Sequence, residues 1–290
     1  MKRLGCNAVQ EKLELELKTK VESFVLKGNR APSLAVILIG NDGASETYVK
    51  NKHSACDRLG FLHFDYRFDE DVEEEDVLSL VEELNKREDV DGILVQLPLP
   101  KHIDEKKIIN SIAPEKDVDG FSPVNVGHLC LGDECYVPCT PKGIIEILRY
   151  YGIKTEGKKV VVIGRSNIVG KPMAMLLMQK GADATVTVCN TKTPDLCEFT
   201  KDADIIIVAT GRPGTLDASM CRDDAVIIDV GVNRISDPSR EKGYRLVGDV
   251  DYKSFENTSC MVTPVPGGVG LMTVMMLMEN TYLAAERRAR

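Results

Sequence analysis

The chain has 290 residues, of which 43% are hydrophobic and 28% charged, and it carries a formal net charge of −8. That length supplies one large or two ordinary domains with ample core, and the composition excludes a disordered chain. The acidic balance argues against a nucleic-acid partner. No apolar run approaches the roughly 20 residues of a membrane span, so a membrane is not an expected partner either.

In chain order, an amphipathic helix is predicted over residues 11–27 and is closed by Gly28. A buried strand over 33–39 and a turn at 40–43 follow. A helix over 45–59 stops at Gly60, a strand covers 63–68, and a very acidic helix covers 71–87. A strand over 92–96 is cut short by Pro98 and Pro100. Residues 111–138 are poor in periodicity and form a candidate domain junction. A second series then begins near Thr140: a helix over 141–151, a strand over 159–163, a helix over 170–180 and a strand over 185–188. A short helix leads to strands over 205–209 and 225–230, and TPVPGG (263–268) leads into a last apolar helix over 269–289. Strands alternating with helices imply an α/β fold with mainly parallel sheet covered on both faces.

The stretch VVVIGRSNIVGKP (160–172) reads as strand, glycine turn and helix, with Pro172 near the first helical turn. That geometry aims backbone N–H groups and a helix dipole at a phosphate. Gly164 and Gly170 are six apart, and Ser166 stands where a second glycine is usual in a dinucleotide-binding turn. Cys189, Asn190 and Thr191 end the next strand, where an NAD site usually carries a carboxylate for the ribose 2′-OH. Without that carboxylate, and with Arg165 available to pair with a 2′-phosphate, the sequence leans towards NADP; the alternative for Arg165 is a solvated loop arginine.

Four further features carry chemistry. Tyr48 and Lys52 are four apart on one predicted helix and so share a face, although Lys50 is also close and spacing does not exclude it. Gln96 ends a buried strand, either as a satisfied structural amide or as a group facing a ligand. Asp117 and Asp119 lie in an irregular stretch, where one of them accepts from a heterocycle edge or both serve a turn. PVPGGVG (264–270) either allows close backbone approach to a ligand or is only the entry of the last helix. His53, His63, His102 and His128 show no metal-ligand spacing, and the nine cysteines include no C-x-x-C pair. No metal is therefore expected, and the thiols are read as reduced in a cytoplasmic protein.

Together, SETYVKNK (45–52), GILVQLPLP (92–100), KDVDGF (116–121), PCTPKG (138–143), GRSNIVGKP (164–172), DVGVN (229–233), GDVD (248–251) and TPVPGGVG (263–270) resemble the bifunctional methylenetetrahydrofolate dehydrogenase/cyclohydrolase family, the FolD enzymes. The resemblance covers nearly the whole chain. It implies two domains around a cleft. The first, 1–138, is completed by the C-terminal helix 269–290; the second, 139–268, is a Rossmann-like parallel sheet with helices on both faces. It also implies a homodimer built through the second domain and tetrahydrofolate derivatives as substrates. The implied reaction oxidises 5,10-methylenetetrahydrofolate with NADP⁺ and hydrolyses the methenyl product to 10-formyltetrahydrofolate.

By the same resemblance, Lys52 is the catalytic lysine, Tyr48 positions it and the pterin, Gln96 tunes it, and Asp119 holds the pterin edge. Gly164, Arg165 and Ser166 would bind the cofactor phosphates, with Thr191 and Val232 beside the cofactor. Pro266, Gly267, Gly268 and Leu271 would line the folate site. Four positions depart from the family pattern: Ser54 for a second lysine, Asn190-Thr191 for His-Ser, Val232 for isoleucine, and Leu271 for the proline after GGVG. The last implies a less preorganised folate pocket. Two rival readings are a dehydrogenase with weak cyclohydrolase activity and an idle cofactor-binding or folate-binding protein. The intact Tyr48, Lys52, Gln96 and Asp119 set argues against idleness.

Overall fold

The computed structural model describes residues 1–41, 43–240 and 243–289; Asp42 of the predicted turn lies outside the described residues. The chain divides into two compact units. One consists of Lys12–Cys139 and Val274–Arg290, the other of Met1–Glu11 and Thr140–Thr273. Both are α/β, with parallel sheets flanked by helices.

The chain opens with strand β1 (Lys2–Arg3) and helix α1 (Asn7–Leu26). The three-stranded unit is then built from β2 (Ser33–Ile39), α2 (Gly43–Leu59), β3 (Leu62–Phe68), α3 (Glu74–Lys86) and β4 (Gly92–Val95). Its strand order is β3-β2-β4, parallel throughout. All seven residues of β2 are buried, as expected for a central parallel strand with apolar layers on both sides. The acidic helix α3 places Glu74, Glu75 and Asp76 at its positive end and Lys86 at its negative end, and buries Val77, Val81 and Leu84 on one stripe.

Two helices lie where no helix is predicted: α4 (Glu105–Ser111) and α5 (Pro123–Leu131). Both are short, and Gly127 interrupts any apolar period in α5. Their caps, however, are legible in hindsight. Asp104 accepts from the amides of Lys106 and Lys107, while Ser122 accepts from Asn125 N–H with Pro123 in the first turn.

The six-stranded unit follows α6 (Cys139–Tyr150). It contains β5 (Lys159–Ile163), α7 (Gly170–Met178), β6 (Thr185–Cys189), α8 (Cys197–Thr200), β7 (Ile205–Val208) and β8 (Val226–Asp229). A hairpin of β9 (Asn233–Ser236) and β10 (Tyr244–Val247) stands outside its sheet, and β11 (Met261–Val262) precedes the long helix α9 (Val269–Arg288). The sheet order is β1-β11-β8-β7-β5-β6, with all pairings parallel. The chain leaves β5 to one side for β6 and returns past it to β7. That reversal is the topological switch point at which open α/β sheets bind ligands. Residues 1–11 belong to this unit and not to the segment that follows them, because Lys2 and Arg3 pair with Met261 and Val262 and the Tyr151 hydroxyl donates to Gly5 O at 2.6 Å. No described helix is long and apolar enough to cross a membrane.

Candidate active site

In the three-stranded unit, α2 carries Tyr48 and Lys52 one turn apart. Burial separates the two candidate lysines: Lys52 is 8% exposed, whereas Lys50 is exposed. The Lys52 ammonium donates to Gln96 Oε1 at 2.8 Å. Gln96 follows directly on β4, and its amide nitrogen donates to Leu97 O at 2.7 Å, which fixes the carbonyl end towards Lys52. Tyr48 is 37% exposed, so its ring is available to a flat ligand.

The two aspartates of KDVDGF have different tasks. Asp117 is buried and accepts from the amides of Phe121 and Ser122 at 3.2 and 2.7 Å and from Asn125 Nδ2 at 2.9 Å, so it holds the turn. Asp119 is the group that acts on Lys52. Burial pushes the Lys52 pKa down, while Asp119 and then Cys139 pull it back up. Burial pushes the Asp119 carboxyl up to about 6, with Lys52 acting the other way. An amine and a carboxyl are thus both moved towards neutral pH at one place, the pattern of an acid–base site.

Cys139 was not singled out in the sequence. Its thiol lies 3.7 Å from Asp119 Oδ1 and 3.5 Å from Val118 O. The buried Asn280 of α9 donates to Val118 O and Val137 O at 2.8 and 2.9 Å, tying the helix to the same loop. Its signal in the sequence is the PCTPKG motif, in which spacing alone gives the cysteine no task. A cavity of about 820 Å³ in this unit opens at the opposite end of the sheet, before β2 and β4. Three of its arginines are paired within the lining: Asp91 takes both Arg30 and Arg288, and Asp89 takes Arg87.

The coupling has a pH signature. Asp119 holds its proton more tightly folded (about 6) than in its ordinary state (3.8), so stability falls as pH rises through that window and the cost persists above it. Asp119→Asn is expected to raise stability by roughly 1–3 kcal/mol at pH 7 and by much less at pH 4. Thermal melts at both pH values check this; an equal gain at both would contradict it.

In the six-stranded unit, the cofactor candidates cluster at the carboxyl ends of the parallel strands. Gly164 follows β5, Thr191 follows β6 and Val232 follows β8. Gly164 has φ +130, and a Cβ there would meet Ala209 O at 2.2 Å, so only glycine lets β5 turn this close to the end of β7. Arg165 and Ser166 are exposed. The Ser166 hydroxyl accepts from the amides of Val169 and Gly170 at 3.2 and 3.4 Å, which folds the turn against the start of α7. The Asn190 side chain accepts from Lys192 N–H at 3.0 Å, closing a turn that leaves Thr191 and Lys192 exposed.

A buried carboxylate fixes the neighbouring loops. Asp249 Oδ2 accepts from the amides of Thr210 and Gly211 at 2.6 and 2.8 Å, and Oδ1 from Asn233 Nδ2 at 2.9 Å. It therefore ties the loop after β7 to the start of β9, one residue beyond Val232. Asp229 accepts in turn from the amides of Gly231, Asp249 and Val250, and burial pushes its carboxyl up to about 6. Pro266, Gly267, Gly268 and Leu271 also lie in this unit, after β11. Leu271 N–H donates to Gly268 O at 3.1 Å, a bond that proline at this position cannot make. The structure thus brings Lys52, Gln96 and Asp119 together in one unit, and the glycine turn, Thr191 and Val232 to one sheet edge in the other.

Comparison with known proteins decides the family. Residues 4–119 match the tetrahydrofolate dehydrogenase/cyclohydrolase catalytic domain, and residues 138–289 match the NAD(P)-binding domain of the same family. The chain belongs to the tetrahydrofolate dehydrogenase/cyclohydrolase family. It is 50% identical over 289 residues to the bifunctional protein FolD of Phocaeicola vulgatus, covering 99% of each chain. Its structure is similar to that of the Campylobacter jejuni FolD enzyme, with TM-score 0.93, 46% identity and 99% of each chain covered. It is also similar to the Trypanosoma brucei enzyme complexed with NADP cofactor and inhibitor, with TM-score 0.94, 40% identity, and 99% and 97% covered. This tetrahydrofolate dehydrogenase/cyclohydrolase is a bifunctional enzyme of one-carbon metabolism, oxidising methylenetetrahydrofolate and hydrolysing the methenyl product.

Proposed function

We propose that the dehydrogenase step uses NADP⁺ and that Lys52 carries the proton transfers of the cyclohydrolase step. The observation that carries the second part is the buried Lys52 ammonium held at 2.8 Å by Gln96, with Asp119 acting on it. A bound nicotinamide would supply the acceptor for the hydride of the methylene carbon. What the protein supplies to that step is orientation. Water then attacks the methenyl carbon and gives one proton to Lys52. The carbinol hydroxyl loses the second proton to solvent as the formyl carbonyl forms, and Lys52 returns its proton to the departing ring nitrogen. Burial favours its neutral amine, with Asp119 and Cys139 pulling the other way, and the net displacement is towards the neutral form that accepts a proton. Gln96 aims the nitrogen, and Tyr48 and Asp119 offer a ring face and an acceptor to the pterin.

The residues after β5 and β6 fit a dinucleotide with a 2′-phosphate. Gly164 clears the backbone, no carboxylate follows β6, and Arg165 and Lys192 are exposed cations. Arg165→Ala is expected to weaken NADP⁺ binding by roughly 1.5–3 kcal/mol, the scale of a charge-assisted hydrogen bond, and NAD⁺ binding much less. Titration with both cofactors checks this; equal weakening removes Arg165 from 2′-phosphate recognition. A homodimer and a cytoplasmic location complete the reading. The first is supported by β6, an edge strand with Val188 41% exposed, and the second by nine free thiols.

A further inference from the structure

The four histidines lack metal-ligand spacing along the chain, yet the fold brings two of them together. His53 and Asp57 are four apart on α2 and share one helix face. His63 and Asp65 are two apart on β3 and share one strand face. Helix and strand both belong to the three-stranded unit. Where they meet, His53 Nε2 lies 2.5 Å from Asp65 Oδ1, and His63 Nε2 lies 3.2 Å from Asp57 Oδ1. The two imidazoles stack, with centroids 4.7 Å apart and planes 14° apart. One ligand atom from each of His53, His63 and Asp65 falls within 4.8 Å of the others.

A second observation singles out His53. Its Nε2 is buried and makes no hydrogen bond, because the close Asp65 oxygen is badly aligned for one. A buried ring nitrogen without a hydrogen bond, against a carboxylate and beside a second imidazole, is short of one electrophile. A proton satisfies only one such pair; a metal ion satisfies all three groups. The donor set is two nitrogens and one carboxylate oxygen, with no sulfur, which suits a borderline divalent ion such as Zn²⁺. Tetrahedral ligands at ~2.0 Å stand about 3.3 Å apart, so the 2.5 Å contact would open by less than an ångström, the separations that reach 4.8 Å would close, and one stacked ring would turn so that both lone pairs meet the ion. The Asp65 side chain, 39% exposed, is free to make that shift, and β3 is an edge strand, so the site is open to solvent.

We propose that His53, His63 and Asp65 bind one divalent transition-metal ion, with Asp57 or water as the fourth ligand. His53 directly follows Lys52. Occupancy would therefore pin the helix that carries the catalytic amine to β3.

The test is titration of the metal-free, full-length protein with Zn²⁺ by calorimetry and with Co²⁺ by absorbance. The expected result is one ion per chain, Co²⁺ bands of nitrogen and oxygen ligation without thiolate charge transfer, and a higher Tm with Zn²⁺. His63→Ala and Asp65→Asn are each expected to lower Zn²⁺ affinity at least ~10-fold and to abolish the Tm gain. Asp65→Asn keeps the side-chain shape and serves if His63→Ala fails to fold. Unchanged affinity in both variants, or thiolate charge transfer with Co²⁺, would place the ion on cysteines and overturn the proposal.

Discussion

Lys52→Met is expected to lower methenyltetrahydrofolate hydrolysis by at least ~100-fold, the scale of a general acid–base group. Methionine keeps an apolar stem of similar length in a position that is 8% exposed, so the packing around α2 persists. Gln96 Oε1 loses its donor, at a cost of about 1–3 kcal/mol if nothing replaces it. Against that stands the removal of an amine whose charged form burial disfavours. The variant should therefore melt close to the parent while methenyl decay, followed by absorbance, nearly stops. Equal decay rates in variant and parent would remove Lys52 from the hydrolytic step.

Asp249→Ala should damage the other unit more deeply. Asp249 is fully buried, and its two oxygens hold the amides of Thr210 and Gly211 and the side-chain amide of Asn233. Alanine leaves the half-buried Thr210 and Asn233 donors without their acceptor, at about 1–3 kcal/mol each at most, while the exposed Gly211 amide can turn to water. The loops after β7 and β8 lose their common anchor, and NADP⁺ binding should weaken by roughly tenfold as the site loses preorganisation. Gly231 shows how tightly the anchor is built: a Cβ there would sit 2.1 Å from Asp249 Oδ1. Asp249→Asn keeps one acceptor and should fall between parent and alanine. Denaturant melts and cofactor titration read both effects, and an alanine variant that melts within about a degree of the parent would show that the carboxylate is no clamp.

The parallel strands were legible because burial on both faces writes them as unbroken apolar runs, as in residues 33–39 and 159–163. Helices α4 and α5 were not, since at seven and nine residues they show no full amphipathic repeat and announce themselves only by their caps. Strand β1 was invisible for a different reason: two exposed basic residues become a strand only when a partner arrives from residue 261. At the site, spacing put Lys50 and Lys52 on equal terms, and burial separates them. Asp117 and Asp119 likewise look alike in sequence; one satisfies three donors of its own turn and the other acts on Lys52. Ser166 reads from sequence as a phosphate ligand, and its oxygen also accepts from the amides of Val169 and Gly170 at the start of α7. The His53–His63 contact joins a helix to a strand, which no linear motif encodes.

The interleaved ends of the chain set an order on synthesis. Lys2 and Arg3 must wait for their strand partners Met261 and Val262, which are synthesised only after the strands and helices that lie between them. The three-stranded unit waits as well, since Asn280 of α9 closes the loop that carries Asp119 and Cys139. Neither unit is a contiguous stretch of chain, so no single cut releases one of them whole. Through much of its translation the nascent protein must hold one unfinished sheet and one finished sheet that still lacks α9, with apolar surface uncovered, the situation in which chaperones bind and non-native pairing begins.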